Sequence, residues 1–351
     1  MSIDKTYCMS SYLAFRYIED DEKDFFKGMR HRKMPPVQEG YKTLVRTAAE
    51  IDSAIQAAFD REEGERLGLL LSGGMDSAIL ASYMRGADAY TFRFLGGGFQ
   101  EAELHRAESY AQYYGLKLHY VDIDWNQTVV THLDPVLKAK AAPVHSIEPQ
   151  IRQAAMQAKQ DGVTMMVVGE SSDLKFGGMD QLLSKDWTVV DFTRRYTFTE
   201  PASVLKEPVE MSYLFERYRL KNDKMDFLRF MDDIFSIESS NSYFNAFSSA
   251  GMRYIDPYAH LHMAEPLDLG RIRRGESKYL IRELFSMKYP GVPVPEKVPM
   301  PRPVDFYFRD WAGPTRPEFK SGLDMSRFTG NQKWQIWCLE HFLNLFDPHN
   351  R

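Results

Sequence analysis

The chain has 351 residues, enough for two or three packed units. Hydrophobic residues make up 44% and charged residues 26%, as in an ordinary globular protein, and a net charge of −5 argues against a general nucleic-acid-binding surface. Cys8 and Cys338 are too few for a disulfide framework or a Cys-X-X-Cys zinc site, and no apolar run approaches the ~20 residues that span a bilayer. A reducing cytoplasm, with no membrane partner, is therefore the expected setting.

In chain order, residues 1–60 read as mostly helical, with apolar positions over 41–59 at helical spacing. Residues 67–71 form a buried strand and 77–85 the helix after it. Residues 90–94 are a second strand, followed by Gly96-Gly97-Gly98. A helix over 101–114 stops at Gly115, and 118–123 is a third strand. A helix over 149–160 has Gly162 just past its end, and 164–168 is a fourth strand. Beyond Phe176 the pattern changes: 205–250 and 265–290 look helical, the proline-rich stretch 290–305 looks extended, and 331–346 reads as a final helix.

Strands that alternate with helices over 67–168 predict parallel βαβ units in a doubly wound α/β sheet, with ligands at the carboxyl ends of the strands. The expected division is a helical, linker-like segment over 1–60, an α/β nucleotide-binding core over 61–185, and a mainly helical, acceptor-side region over 186–351 packed on that core.

Leu69-Leu70-Leu71-Ser72-Gly73-Gly74-Met75-Asp76-Ser77 is the most informative stretch. An apolar strand runs through a glycine turn straight into a helix. Glycines let backbone approach a ligand, and N–H groups at a helix start favour phosphate. Asp76 adds a carboxylate able to hold Mg²⁺ against phosphates. The whole string points to a nucleotide pocket, whereas a lone Gly-Gly would be an ordinary tight turn.

Two further segments carry chemistry. Gly169-Glu170-Ser171-Ser172-Asp173 follows the fourth strand, and its two acids could divide metal binding from proton transfer; alone, it also reads as a helix cap. Arg273-Arg274-Gly275-Glu276-Ser277-Lys278-Tyr279-Leu280-Ile281-Arg282 offers cations for phosphate oxygens; alone, it also reads as a solvated helix face. His260, His262, Arg271 and Arg274 are candidates for an acceptor side, with a plain surface or core role equally open.

The Ser72–Ser77 string resembles the pyrophosphate loop (PP-loop) of the ATP pyrophosphatases. In combination, Gly169-Glu170-Ser171-Ser172-Asp173-Leu174-Lys175-Phe176-Gly177-Gly178 and Lys278-Tyr279-Leu280-Ile281-Arg282 resemble the synthetase domain of the asparagine synthetase family, which includes β-lactam synthetases and lasso-peptide cyclases. Pro257-Tyr258 sits where that family has Pro-Phe, and Ser11 through Pro35-Pro36 is similar to the linker leading into its domain. The resemblance implies a PP-loop, adenine nucleotide α-hydrolase type of sheet with a helical C-terminal lobe, ATP and Mg²⁺ as cofactors, and an AMP-forming amide ligase. By the same resemblance, Ser72, Gly73, Gly74 and Ser77 would grip pyrophosphate, and Asp76 and Asp173 would coordinate Mg²⁺. Phe92, Val168 and Gly169 would lie near the nucleoside. Glu170 would assist an incoming amine and Lys278 would steady the transition state.

The chain also departs from that pattern. No glutaminase domain is evident and position 2 is Ser, so nitrogen is expected from free ammonia, an amine substrate or a separate glutaminase subunit. Leu174 replaces the second acid of the family's Asp-Glu pair. Phe244-Asn245 replaces an Asp-Arg pair, and Ile255-Asp256-Pro257-Tyr258-Ala259-His260 replaces Arg-X-Pro-Phe-Leu-Asp. These changes put aspartate as the substrate in doubt. An intramolecular amide-forming cyclase, or a nucleotide-binding regulator without catalysis, remain the alternatives.

Overall fold

The computed structural model describes residues 2–35, 37, 41–95, 100–296 and 302–347. Gly96-Gly97-Gly98, Pro36 and residues 297–301 of the proline-rich stretch lie outside the described residues. In chain order the main elements are α1 (Lys5–Phe15), α2 (Ala48–Asp60), β1 (Leu67–Leu70), α3 (Met75–Ala81), β2 (Asp88–Phe94), α4 (Glu101–Tyr114), β3 (Lys117–Ile123), α5 (Trp125–Lys140), α6 (Glu148–Gln160), β4 (Met165–Val167), α7 (Ser236–Ala250), β5 (Arg253–Ile255), α8 (Tyr279–Lys288) and α9 (Gly330–Phe346).

The five strands form one parallel sheet in the order β3-β2-β1-β4-β5. Leu69 lies opposite Ala89 on one side and Val167 on the other. All three are fully buried, so both faces of the sheet must be covered. Ile51, Ile55, Ile79, Tyr110 and Phe285, from α2, α3, α4 and α8, share one apolar cluster. Tyr12, Val136, Ile151, Phe247 and Leu339, from α1, α5, α6, α7 and α9, share the other. The chain order reverses between β1 and β4, and such a switch point opens a crevice at the strands' carboxyl ends. The Ser72–Ser77 loop and the segment after Val168 both emerge there.

Several expected helices are shorter than their periodicity suggests. Residues 41–59 divide into a strand, Thr43–Val45, and α2. The strand pairs in parallel with Leu261–Met263, and the Thr47 hydroxyl accepts the Glu50 N–H at 3.2 Å, which starts α2 at Ala48. The described residues between Phe15 and Ala48 contain no α-helix; backbone N–H groups there go to tertiary partners instead, Arg32 to the Lys140 carbonyl at 3.0 Å and Met34 to Asn241 Oδ1 at 2.6 Å. Over 265–290 the helix divides into Leu269–Arg273 and α8, separated by Gly275 at φ +96° and Lys278 at φ 54°. Over 205–250 continuous helix begins only at Phe227, and a π turn over Met231–Phe235 leads into α7. Helix α5 has no counterpart in the sequence reading, because Pro135 inside it is a helix-breaking signal. β5 is a fifth strand with the same status: three residues are too short to show a period.

Candidate active site

The loop after β1 is tied to the first turn of α3. The Ser72 N–H donates to Ser77 Oγ at 3.0 Å, the two hydroxyl oxygens are 3.0 Å apart, and the Gly74 N–H donates to Ser72 Oγ at 3.1 Å. Gly73 is pressed against α4. A Cβ there would fall 2.5 Å from the Glu103 carbonyl oxygen, and Arg106 Nε already donates to the Gly73 carbonyl at 2.9 Å. Packing against α4 thus excludes any side chain at this position.

Opposite the loop stands Lys278, only 4% exposed. Its ammonium bridges two carboxylates, Asp76 Oδ1 and Asp173 Oδ1, the second at 2.8 Å. Burial works against its charge, but the two acids outweigh it and hold the pKa above the ordinary value. Lys278 caps α8 in the left-handed backbone region, which costs a non-glycine residue about 1–2 kcal/mol. A lysine retained in that conformation points to a use for its side chain. A Cβ at Gly178 would collide with Asp173 Oδ1 and come within 2.7 Å of Lys278 Cδ, so this glycine lets the pair close.

Glu170 stands at the carboxyl end of β4. It accepts hydrogen bonds from the Ser239 and Tyr243 hydroxyls on α7. Burial, reinforced by Asp173 and Asp256, pushes its pKa up to about 7. Asp256, just past β5, accepts the Ser171 N–H at 2.8 Å and the Tyr258 N–H at 3.1 Å, and burial raises its pKa to about 6. The Tyr258 hydroxyl in turn donates to the Asp76 carbonyl at 3.0 Å. A chain of buried polar contacts therefore links the ends of β1, β4 and β5.

Two cavities meet at Glu170, Asp173 and Tyr243. The first, about 180 Å³, is lined by Ser72, Gly74, Asp76, Ser77, Phe92, Val168, Gly169, Glu170, Asp173 and Lys278. The positions that the family resemblance assigns to nucleotide, Mg²⁺ and catalysis thus lie around one space, with Gly73 in the loop that bounds it. The second, about 580 Å³, lies between the sheet end and α7, and is lined by Arg16, His145, Glu238, Ser242 and Arg302 among others. Leu174, which replaces an acid of the family pattern, lines this second cavity.

Some candidates sit elsewhere. His260, His262, Arg271 and Arg274 do not line the second cavity. Arg271 pairs with Glu276 on the surface at 2.8 Å, and His262 lies on the strand that pairs with Thr43–Val45. The reading of 273–282 as a solvated face fails at Lys278, and Ser171 makes no side-chain cap to the turn Ser172–Lys175. Tyr243, Ser239 and Asp256 were not singled out by any sequence motif; the one available signal is that Asp256 precedes Pro257-Tyr258.

Asp76 and Asp173 suit Mg²⁺, which commonly takes one or two carboxylates and completes its shell with phosphate oxygens and water. Among the described residues there is no cluster of three or more His, Cys, Asp or Glu that could hold a metal by itself. Phosphate oxygens would have to complete such a site. Among the described residues no helix is long and apolar enough to cross a membrane.

A search of curated proteins gives no match. Among solved structures, the U34-tRNA thiolase NcsA from Methanococcus maripaludis with its 4Fe-4S cluster is similar at 13% identity and a TM-score of 0.33, over 84% of this chain and 79% of that one. A family model described as asparagine synthase matches residues 50–264, from α2 through the strand after Tyr258. This match spans more than half of the chain and includes both loops at the switch point, so the protein belongs to the asparagine synthase family, a family of ATP-dependent amidation and adenylation enzymes.

Proposed function

We propose that the protein is an AMP-forming carbon–nitrogen ligase. It binds ATP in the first cavity and an organic acid in the second, and joins that acid to ammonia or an amine. The observation that carries this reading is the meeting of the two cavities at Glu170, Asp173 and Tyr243, with Lys278 beside them.

In the first step an oxygen of the substrate carboxylate bonds to the α-phosphorus, the bond to the β-phosphate bridging oxygen breaks, and pyrophosphate leaves into the Ser72–Ser77 loop. Ser72, Ser77 and the Gly73–Gly74 backbone hold it. The nucleoside lies against Phe92, Val168 and Gly169. Asp76 and Asp173 would hold Mg²⁺, which offsets charge on the departing pyrophosphate. The Lys278 ammonium stabilises negative charge growing on the phosphorus oxygens, and later on the carbonyl oxygen. In the second step the amine nitrogen bonds to the acyl carbon, the bond from that carbon to the AMP oxygen breaks, and Glu170 takes the proton from nitrogen. A carboxyl group raised to about 7 is suited to accept a proton near neutral pH. Positioning and charge stabilisation supply most of the rate enhancement.

The test is a nucleotide balance. Incubation with ATP and a panel of carboxylic acids should give ATP–pyrophosphate exchange, and AMP once an amine is added. Release of ADP instead would overturn the proposal.

A further inference from the structure

One pair of contacts in the first cavity sets two roles against each other. Lys278 Nζ reaches Asp76 Oδ1 and Asp173 Oδ1, the second at 2.8 Å. In the ligase reading those two acids hold a divalent cation and Lys278 meets phosphate. An ammonium and a divalent cation cannot both sit on the same two oxygens. Mg²⁺ needs its ligands at about 2.0–2.1 Å in near-octahedral order, and a second cation that close is strongly repelled. Lys278 therefore has to release the acids before they can ligate a metal.

The backbone around all three groups is pinned. The Tyr258 hydroxyl donates to the Asp76 carbonyl at 3.0 Å, and the Gly178 N–H donates to the Asp173 carbonyl at 2.7 Å. The Lys278 carbonyl accepts the Arg282 N–H at 2.9 Å, while Arg282 Nε donates to the Ser277 carbonyl at 2.7 Å. What can move is the lysine's four-carbon stem, which carries a compact charge on rotatable bonds. The Asp76 and Asp173 side chains are 23% and 32% exposed and line the cavity, so a cation arriving there can reach them directly.

The cavity's charge also bears on the nucleotide. Its lining carries five carboxyl groups, Asp76, Glu103, Glu170, Asp173 and Glu296, and two cations, Lys278 and Arg282. Even with Glu103 and Glu170 protonated, acids outnumber cations three to two. A bare triphosphate meets that surplus, and a bare metal ion meets Lys278. We propose that Lys278 is a resident counter-cation that closes the metal position in the protein without nucleotide. It leaves Asp76 and Asp173 only when metal and triphosphate arrive as one complex, and its ammonium then moves onto the phosphate oxygens. Metal and nucleotide bind together, and neither binds well by itself. This rests on the ligase reading for the use of ATP in the first cavity, not for which of its phosphate bonds is broken.

The test uses the full chain and Mn²⁺, which takes the same oxygen ligands as Mg²⁺ and is read by electron paramagnetic resonance. Without nucleotide, Lys278→Met should bind Mn²⁺ at least about tenfold more tightly than the parent, because a unit charge beside the ion has gone. Lys278→Arg keeps that charge and should show no gain. Adding Asp173→Asn to Lys278→Met should abolish the gain, which places the ion at these acids. In the parent, calorimetry should show α,β-methylene-ATP binding at least about tenfold more tightly with Mn²⁺ than with a chelator. Equal Mn²⁺ affinity in parent and Lys278→Met, a gain that survives Asp173→Asn, or nucleotide binding indifferent to metal would each overturn the exchange. If Mn²⁺ behaves as expected while ATP yields ADP, the ligase reading falls and the exchange stands. AMP release alongside equal Mn²⁺ affinities sinks the exchange alone.

Discussion

The two cavities were assembled in different ways. The nucleotide-side cavity is walled mainly by two loops that leave neighbouring strands, β1 and β4, within a few residues of the sheet end. The acceptor-side cavity draws on Arg16, His145, Arg195, Glu238 and Arg302, which no local segment brings together. The first is a property of local backbone geometry and varies little if the sheet is kept. The second depends on which surfaces pack over the sheet end, and so it can differ while the nucleotide site stays the same. On the proposed ligase reading, ATP is used in the first cavity and the substrate is chosen in the second.

The sharpest way to break this division is at Lys278. Lys278→Ala should lower ATP–pyrophosphate exchange by about a thousandfold for every acid tested, the upper range for loss of a charge-stabilising donor. A loss confined to one acid would move Lys278 to the substrate side. Asp76→Ala should behave in the same way.

Glu170 sits on the boundary, so its effect should divide. Glu170→Gln should slow amide formation by about a hundredfold or more while exchange is largely spared. In the parent protein amide formation should rise with pH through about 7, because below that value the carboxyl keeps its proton and cannot act as a base. Loss of that rise in Glu170→Gln, read from single-turnover rates, ties the profile to this group. Equal damage to both half-reactions would contradict the role.

Gly73→Ala is a smaller, structural probe of the nucleotide side. The added methyl meets the Glu103 carbonyl, so the variant should lose about 1–3 kcal/mol of stability and bind ATP less tightly. Denaturant unfolding and ATP titration read the two effects, and acid binding without nucleotide should not change. The smallest expected effect is at Arg271. It pairs with Glu276 at the surface, so Arg271→Ala should shift stability by no more than about 1 kcal/mol and leave the acid's affinity unaltered. A marked loss of acid binding would put the acceptor side near the short helix Leu269–Arg273 after all.

Much of this was legible in the amino-acid order because it is local. The glycine turn after three leucines, the acids after Val168 and the alternation of strands and helices each follow from spacing a few residues long, and they led to the sheet, the switch point and the residues around the first cavity. Where local signals conflicted, the helix boundaries slipped: Pro135 hid α5, while Thr47 and Lys278 cut helices that periodicity alone would extend. Only the tertiary structure decided that Lys278 is buried between Asp76 and Asp173, that Tyr243 and Ser239 meet Glu170, and that Arg16 and Arg302 share one histidine. These are contacts across tens to hundreds of residues. A charged residue's sequence neighbours do not reveal whether it will face water or another charge; packing settles that, since a charge removed from water persists only where partners or a ligand compensate it.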